Sequence, residues 1–159
     1  MNKKITLLLL IISLTSFCLC KSSDPQSRLN YINSKYKFSI RFPNDWMNYA
    51  DFEMTEIIDS KIDIPVIYFA LPTRVHEWQS LNVSMGYSEL FYVRIFTKEK
   101  WNLYKEKYEE TSEFRLSDKI FDEGKNFVYM IRFSNSVPVD LHYYVRETIL
   151  VADSFRALK

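Results

Sequence analysis

The order of apolar and polar residues along the chain predicts a strand near its start. Residues 35–42 alternate strictly, with one apolar and one polar face: Tyr36, Phe38, Ile40 and Phe42 against Lys35, Lys37, Ser39 and Arg41. This period of two is typical of a strand with one buried face. The turn formers Pro43, Asn44 and Asp45 follow directly, and they predict that the strand ends there.

Five further segments have the composition of strands. Residues 66–71 and 127–133 are apolar on both faces apart from Arg132, which predicts central strands covered on two sides. Residues 81–85, 91–96 and 114–121 are predicted as the other three strands. The sequence Asp122-Glu123-Gly124-Lys125 then predicts a hairpin turn in which Gly124 adopts the left-handed conformation.

Two segments have helical periodicity. Thr97 is a favourable N-cap for a helix that runs to about residue 110, with an aromatic face made by Trp101, Tyr104 and Tyr108. A second helix is predicted over about residues 139–154, and its stripe consists of Leu141, Val145, Thr148, Ala152 and Phe155. Helices that flank a mostly antiparallel sheet make a single α+β domain, which we assign to residues 29–159.

The N-terminus has the organisation of a signal peptide. Lys3 and Lys4 precede an apolar core over residues 5–14, and small and sulfur-containing residues follow as far as Cys20. The apolar run of residues 5–20 is shorter than the ~20 residues that a spanning helix needs, so an uncleaved anchor is the least favoured alternative. We therefore assign residues 1–20 to the signal peptide of an exported bacterial protein.

Both cysteines of the chain, Cys18 and Cys20, lie at the end of this segment. A cysteine there is the residue that accepts a diacylglyceryl group in a lipoprotein, and Cys20 is the preferred lipid attachment site, with Cys18 as the alternative. The residues before Cys20 resemble a lipobox, with Leu19 where a small residue is usual. The predicted location is the cell envelope, lipid-anchored to a bacterial membrane. Cleavage by an ordinary signal peptidase would instead leave a soluble secreted protein.

The charge of the remaining chain limits the classes of molecule that it can bind. Residues 21–28 are polar and predict a short tether. The full chain has 21 basic and 20 acidic residues, so removal of Lys3 and Lys4 leaves 19 against 20. This balance argues against a nucleic acid partner, because phosphate binding requires a basic excess on one face. The sequence also lacks a polybasic patch that would hold an anionic membrane surface.

Three short segments carry a resemblance to a known family. An aromatic strand runs into a Phe-Pro-x-x-Trp turn over residues 36–46, Leu81-Asn82-Val83-Ser84 looks like a central strand, and Asp153-Ser154-Phe155-Arg156 looks like a closing helix end. Together these segments resemble the PsbP-like proteins. The resemblance implies an α/β/α sandwich around an antiparallel sheet, and a non-enzymatic accessory role in binding larger protein assemblies. It is not extended to manganese or calcium.

The search for chemistry predicts no catalytic, metal-binding or cofactor-binding residues, and the protein is not expected to be an enzyme. His76 and Glu77 begin like a zincin helix, but the second histidine that such a helix needs is missing. The other histidine, His142, is distant in sequence, and both are expected to be structural or exposed. The acidic pairs Glu109 with Glu110 and Asp118 with Asp122 are expected on solvated faces and turns.

Three hypotheses for function remain. The first is a membrane-anchored lipoprotein with a non-catalytic interaction or accessory role and an envelope protein as its partner. A contiguous exposed apolar patch would favour this hypothesis. The second is a ligand-binding module for glycan or lipid, and it is motivated by four tyrosines: Tyr87, Tyr92, Tyr143 and Tyr144. A deep pocket lined by aromatic residues would favour it. The third is a hydrolase, which requires His76 or His142 to meet an acid and a nucleophile.

Overall fold

A computed structural model of the protein describes residues 29–108, 118–121 and 124–159, and these residues form an α+β fold. The described residues contain eight strands: β1 Asn30–Asn33, β2 Phe38–Arg41, β3 Ala50–Asp59, β4 Ile62–Pro72, β5 Tyr87–Thr97, β6 Lys119–Phe121, β7 Phe127–Phe133 and β8 Arg156–Ala157. The same part of the chain contains two α-helices: α1 Lys98–Tyr108 and α2 His142–Asp153. Short 3-10 helices cover Asn44–Trp46 and Val139–Leu141.

The strands make two antiparallel sheets. The central sheet has five strands in the order β3-β4-β5-β7-β6, so β3 and β6 form its edges. The small sheet has three strands in the order β1-β2-β8. Within the central sheet, β4 and β5 pair along most of their length, from Val66 opposite Arg94 to Pro72 opposite Tyr87.

Both faces of the central sheet are covered. Helix α1 packs Trp101 and Tyr104 on one face, where they meet apolar residues of β4, β5 and β7. The small sheet and α2 lie together on the other face, and they contribute Phe38, Ile40 and Val151 to the larger core cluster. The domain therefore has a middle layer of sheet, one helical layer, and one outer layer in which α2 lies beside the small sheet.

The alternation predicted for residues 35–42 is confirmed. Tyr36, Phe38, Ile40 and Phe42 are all buried. The strand itself begins only at Phe38, because Lys37 has a φ of 55° and belongs to the turn that follows β1. After Phe42, Pro43 is extended and precedes the 3-10 helix that carries Trp46, so the predicted turn is also confirmed.

The first helix forms as its sequence predicts. The Thr97 hydroxyl accepts a hydrogen bond from the backbone N–H of Lys100 at 3.3 Å, as an N-cap residue does. Trp101 and Tyr104 are buried, and Tyr108 packs against the same cluster. The predicted end near residue 110 lies outside the described residues, as does most of the strand predicted over residues 114–121.

Three expectations are wrong. Residues 81–85 form no strand, because β4 and β5 pair directly up to Pro72 and Tyr87 and the residues between them must loop away; Leu81 is 99% exposed. Gly124 does not have a positive φ, whereas Gly86 does, at 83°. A glycine is required at 124 for space instead, since a Cβ there would lie 2.7 Å from the carbonyl oxygen of Phe127. Val145 is exposed on α2, and Val151 takes its place in the buried stripe.

The N-terminal assignments are not covered by the structure. Residues 1–20, with Cys18 and the proposed lipid site Cys20, and the tether of residues 21–28 lie outside the described residues. Within the described part of the chain, no helix is long and apolar enough to cross a membrane.

The buried Trp46 yields a prediction about stability. Its ring stacks on Phe42 with centroids 5.4 Å apart, and its indole N–H donates to Glu147 Oε2 at 2.9 Å. Trp46→Ala should therefore lower the free energy of unfolding by ~3–5 kcal/mol in urea titrations, the usual range for a large buried ring. The neighbouring exposed Met47→Ala should change it by less than ~0.5 kcal/mol. Equal midpoints for both variants would contradict this placement.

Candidate functional site

The two histidines lie on different elements. His76 is on the loop between β4 and β5, His142 is the first residue of α2, and both are exposed. His142 borders a shallow groove with Ser134, Ser136 and Val145, and no carboxylate is among the residues that line this groove. In the described ranges, no group of three or more His, Cys, Asp and Glu side chains is placed to hold a metal ion.

The four tyrosines singled out from the sequence have different environments. Tyr87 and Tyr92 are half-buried on the central sheet, where Tyr87 contacts Phe52 and Tyr92 contacts Tyr68. Tyr144 is half-buried and its ring meets the edge of Trp46 at 6.2 Å. Only Tyr143 of the four is exposed, with 68% of its surface accessible. It lies at the start of α2, beside a surface groove.

This groove, which we call the α2 groove, lies where the start of α2 meets the end of β4 and the first 3-10 helix. Its volume is about 410 Å³. Nine residues line it: Asp45, Asn48, Leu71, Pro72, Thr73, Arg74, Asp140, Leu141 and Tyr144. The lining therefore combines both charge signs with aliphatic and aromatic surface.

Asp140 holds one wall of the α2 groove in place. Its carboxylate accepts hydrogen bonds from Thr73 Oγ1 at 2.9 Å and from the backbone N–H of Arg74 at 2.7 Å. Burial opposes ionisation of this carboxylate, but the hydrogen bonds from Arg74 and Thr73 outweigh it and lower the pKa of Asp140. The charged carboxylate thus ties the loop after β4 to the start of α2.

The rim of the α2 groove is apolar and exposed. Met47, Val139 and Tyr143 are each adjacent in sequence to a lining residue, and all three are exposed; we call these three residues the rim. The negative charges of Glu147 and Asp45 raise the pKa of Tyr143, so its hydroxyl is neutral at physiological pH. Beneath the rim, the bond from Trp46 to Glu147 joins the first 3-10 helix to α2. The rim is consequently built on an ordered base.

Other grooves on the described part of the chain do not resemble an aromatic ligand pocket. Four of them have volumes between 390 and 480 Å³, and each has at most one Phe, Tyr or Trp in its lining. The ligand-binding hypothesis called for a deep pocket lined by several rings. The α2 groove also contains only one aromatic residue, Tyr144.

Two buried arginines form a polar cluster on the α1 face of the central sheet. Arg94 of β5 donates through Nε at 2.7 Å and through Nη2 to the Glu56 carboxylate, and its Nη1 donates to Tyr104 Oη at 3.3 Å. Burial would lower the pKa of Arg94, but Glu56 raises it overall. The bidentate pair thus joins β3 to β5 across β4.

The second arginine corrects an expectation about Asp118. This aspartate was expected on a solvated turn, but its side chain is only 1% exposed and it pairs with Arg132, whose side chain is 3% exposed. Arg132 Nε and Nη2 donate to the two carboxylate oxygens at 3.1 and 2.7 Å. Burial disfavours the charged guanidinium, yet the Asp118 carboxylate raises the pKa of Arg132 overall. Asp122, the other member of the predicted pair, lies outside the described residues.

Tyrosine rings lie between the two ion pairs. Tyr92 is opposite Arg132 on one side and opposite Tyr68 on the other. Burial, with the nearby Glu56 and Tyr92, raises the pKa of Tyr68 to about 12. Each arginine thus has an acidic partner, and we interpret the cluster as structural. For Arg132, the sequence signal was a single charged residue within an otherwise apolar strand.

Comparisons of the chain with protein-family models, with curated proteins and with solved structures found no match. Neither the PsbP-like resemblance nor any other family is supported or refuted by them. The surfaces and side-chain clusters of the molecule therefore carry the inference of function. Among these, the α2 groove is the candidate functional site, because it combines a defined concavity with exposed apolar residues.

The buried pair yields a prediction about stability. Asp118→Asn should lower the free energy of unfolding by ~3–5 kcal/mol, because it leaves the buried Arg132 charge without its carboxylate. Asp153→Asn is the matched control, since it breaks the more exposed pair with Lys119 and should cost no more than ~1 kcal/mol. Urea titrations measure both values. A loss at Asp118 no larger than the loss at Asp153 would contradict the buried arrangement.

Proposed function

We propose that the protein is an exported lipoprotein, held at a bacterial membrane by a lipid on Cys20, whose domain binds another envelope protein without catalysing a reaction. In this proposal the chain has a PsbP-like α/β/α sandwich, and the two-sided cover of the central sheet supports that architecture. Residues 1–20 are removed or modified on export, and residues 21–28 tether the domain to the lipid.

The α2 groove is the observation that carries this proposal. Protein interfaces are enriched in tyrosine, methionine and arginine around pockets that exclude water. The α2 groove offers Tyr143 and Met47 on its rim and Arg74 in its wall. Its opposite charges, from Arg74 and from Asp45, would fix the orientation of a bound polypeptide segment.

The environments of the candidate chemical groups support a binding role over a hydrolytic one. A hydrolase requires a nucleophile, a base and an acid in hydrogen-bond contact. His76 lies on an exposed loop and His142 borders a groove whose lining contains Ser134 and Ser136 without an acid. The buried arginines, Arg94 and Arg132, are paired to carboxylates, and the buried carboxylate of Asp118 is held by Arg132, so these groups are committed to ion pairs.

The first experiment tests the anchor. Wild-type protein should fractionate with the membrane, because two acyl chains hold a protein far more firmly than one, at ~0.8 kcal/mol per buried methylene. Cys20→Ala should move it to the soluble exported fraction, and Cys18→Ala should leave it membrane-bound. Mass spectrometry of the mature N-terminus provides the direct measurement. An unmodified mature chain that begins at Lys21 would show ordinary secretion and remove the lipid from this proposal.

The second experiment tests the α2 groove as a docking site. The chain has no cysteine after Cys20, so Tyr143→Cys introduces a single thiol for a photoreactive label. In intact envelopes this variant should give one discrete protein adduct. Asn102→Cys, which is also at an exposed position, on α1, is the matched control and should not give this adduct.

Specificity is tested with two further samples. Excess unlabelled wild-type protein should suppress the Tyr143 adduct, and Arg74→Glu combined with Tyr143→Cys should lower its yield, because the charge in the groove wall is reversed. Labels at Tyr143 and at Asn102 that give the same adduct would contradict docking at this site. An adduct whose yield is unchanged by excess unlabelled protein would also contradict it.

A further inference from the structure

The small sheet and α2 present a common outward surface. Both lie on the same face of the central sheet, so the sides they turn away from it look in the same direction. They are also joined directly, because Ser154 Oγ accepts from the backbone N–H of Arg41 at 2.9 Å and donates to its carbonyl at 3.0 Å. We call the outward surface of the small sheet, together with that of α2 from Arg146 to Asp153, the outer face.

The outer face exposes large apolar side chains. Ile32 of β1 is 63% exposed, and Leu150 of α2 is 67% exposed. Ile149, next to Leu150, is also exposed. Ile32 lies in a shallow groove of about 390 Å³ whose other lining residues include Ser39, Arg41 and Arg156. Aliphatic surface is thus distributed over both parts of the outer face.

The same face is basic. Lys37 precedes β2 and Arg41 ends it, both on its outward side. Arg156 of β8 pairs with Ser39 of β2, and Arg146 lies one turn before Leu150 on α2. All four basic residues are exposed. Among the residues that the structure describes, none of these four forms an ion pair with a carboxylate. The acidic residue at this end of α2, Asp153, is paired with Lys119. Four positive charges therefore face solvent without a compensating acid.

The position of the chain terminus indicates what this surface faces. Leu29 directly precedes β1, so the chain leaves the domain at the small sheet. The eight residues between Cys20 and Leu29 span at most ~28 Å when fully extended. If Cys20 carries the lipid, as proposed above, the small sheet is the part of the domain held next to the membrane. This step depends on the proposed anchor.

We propose that the outer face lies on an anionic lipid bilayer, with its arginines and lysine at the headgroups and Ile32, Ile149 and Leu150 at the boundary with the acyl chains. Apolar side chains ringed by basic ones are the pattern of surfaces that bind in the membrane interface. Each basic residue near an anionic surface increases binding by roughly fivefold. The lipid anchor raises the effective concentration of this weak contact.

This orientation places the α2 groove beside the membrane contact. The residues that line the α2 groove are different from those that line the groove around Ile32. The rim residue Tyr143 lies on the same side of α2 as Leu150, seven positions earlier and ~10 Å away along the helix axis. The membrane contact would therefore hold the docking site close to the bilayer surface.

The experiment uses the Cys20→Ala protein recovered from the soluble exported fraction, so that neither a lipid nor the apolar signal peptide contributes to binding. In sedimentation assays it should bind vesicles of phosphatidylcholine mixed with phosphatidylglycerol, and should not bind vesicles of phosphatidylcholine alone. Arg41→Glu with Arg146→Glu should weaken the binding by at least about 25-fold, because two favourable charges are lost and reversed. Lys61→Glu with Lys105→Glu, near α1 on the opposite side, makes the same change in net charge and should retain most of the binding.

Orientation is read in the same exported Cys20→Ala protein, with a polarity-sensitive dye on Leu150→Cys or, as a control, on Leu103→Cys of α1. Only the Leu150 dye should shift to the blue with anionic vesicles, and high salt should reverse the shift. Equal loss of binding in both charge variants would overturn the proposal, and so would equal shifts at both dyes. A shift of the Leu150 dye that depends on protein concentration in the absence of vesicles would also overturn it, because it would show that a second copy of the chain covers this surface.

The two proposals fail separately. Lipidation is determined from the mass of the mature N-terminus, and it is independent of vesicle binding by the Cys20→Ala chain. A lipidated protein whose Cys20→Ala form does not bind anionic vesicles would refute the outer face and leave the anchor. An unlipidated wild-type protein that binds them would refute the anchor and leave the outer face as the means of membrane contact.

Discussion

Phe42 lies where the outer layer meets the central sheet, and its ring contacts aromatic rings from both. It stacks on Trp46 and on Tyr49 within its own segment, and it also meets Phe69 of β4 and Phe91 of β5. The small sheet has strands of two to four residues, too short to be stable without packing against another layer. Both the α2 groove and the outer face depend on these contacts, because α2 is joined to the same cluster through Trp46 and Glu147.

The parts of the fold that the sequence predicts correctly are those in which neighbouring residues determine the outcome. The strict alternation before Phe42 and the Thr97 cap are local features, and both are present. Residues 81–85 also alternate, yet they lie in a loop. Pairing of β4 with β5 up to Tyr87 removes any partner strand for them, and this competition is not visible within the segment itself.

The candidate surfaces were less accessible to sequence analysis for the same reason. The sequence contains no polybasic run, but the fold gathers Arg41, Arg146 and Arg156 from three separate elements onto one side. Asp118 looked like a residue of a solvated turn, and its burial depends on Arg132, which is 14 positions away on the next strand. Thr73 and Asp140 approach each other across 67 positions. Such contacts follow from tertiary packing, and neither periodicity nor local composition encodes them.

The edge strand β3 also affects how neighbouring molecules of this protein can interact. Ten residues of its backbone border the central sheet, a length that in many proteins would invite pairing with another chain. Four carboxylates interrupt this edge: Asp51, Glu53, Glu56 and Asp59. Each is held by a residue outside β3, respectively Tyr31, Lys35, Arg94 and Lys107, so the charges cannot easily swing aside. The acids that stabilise the layers internally thus also discourage pairing between the sheet edges of neighbouring molecules.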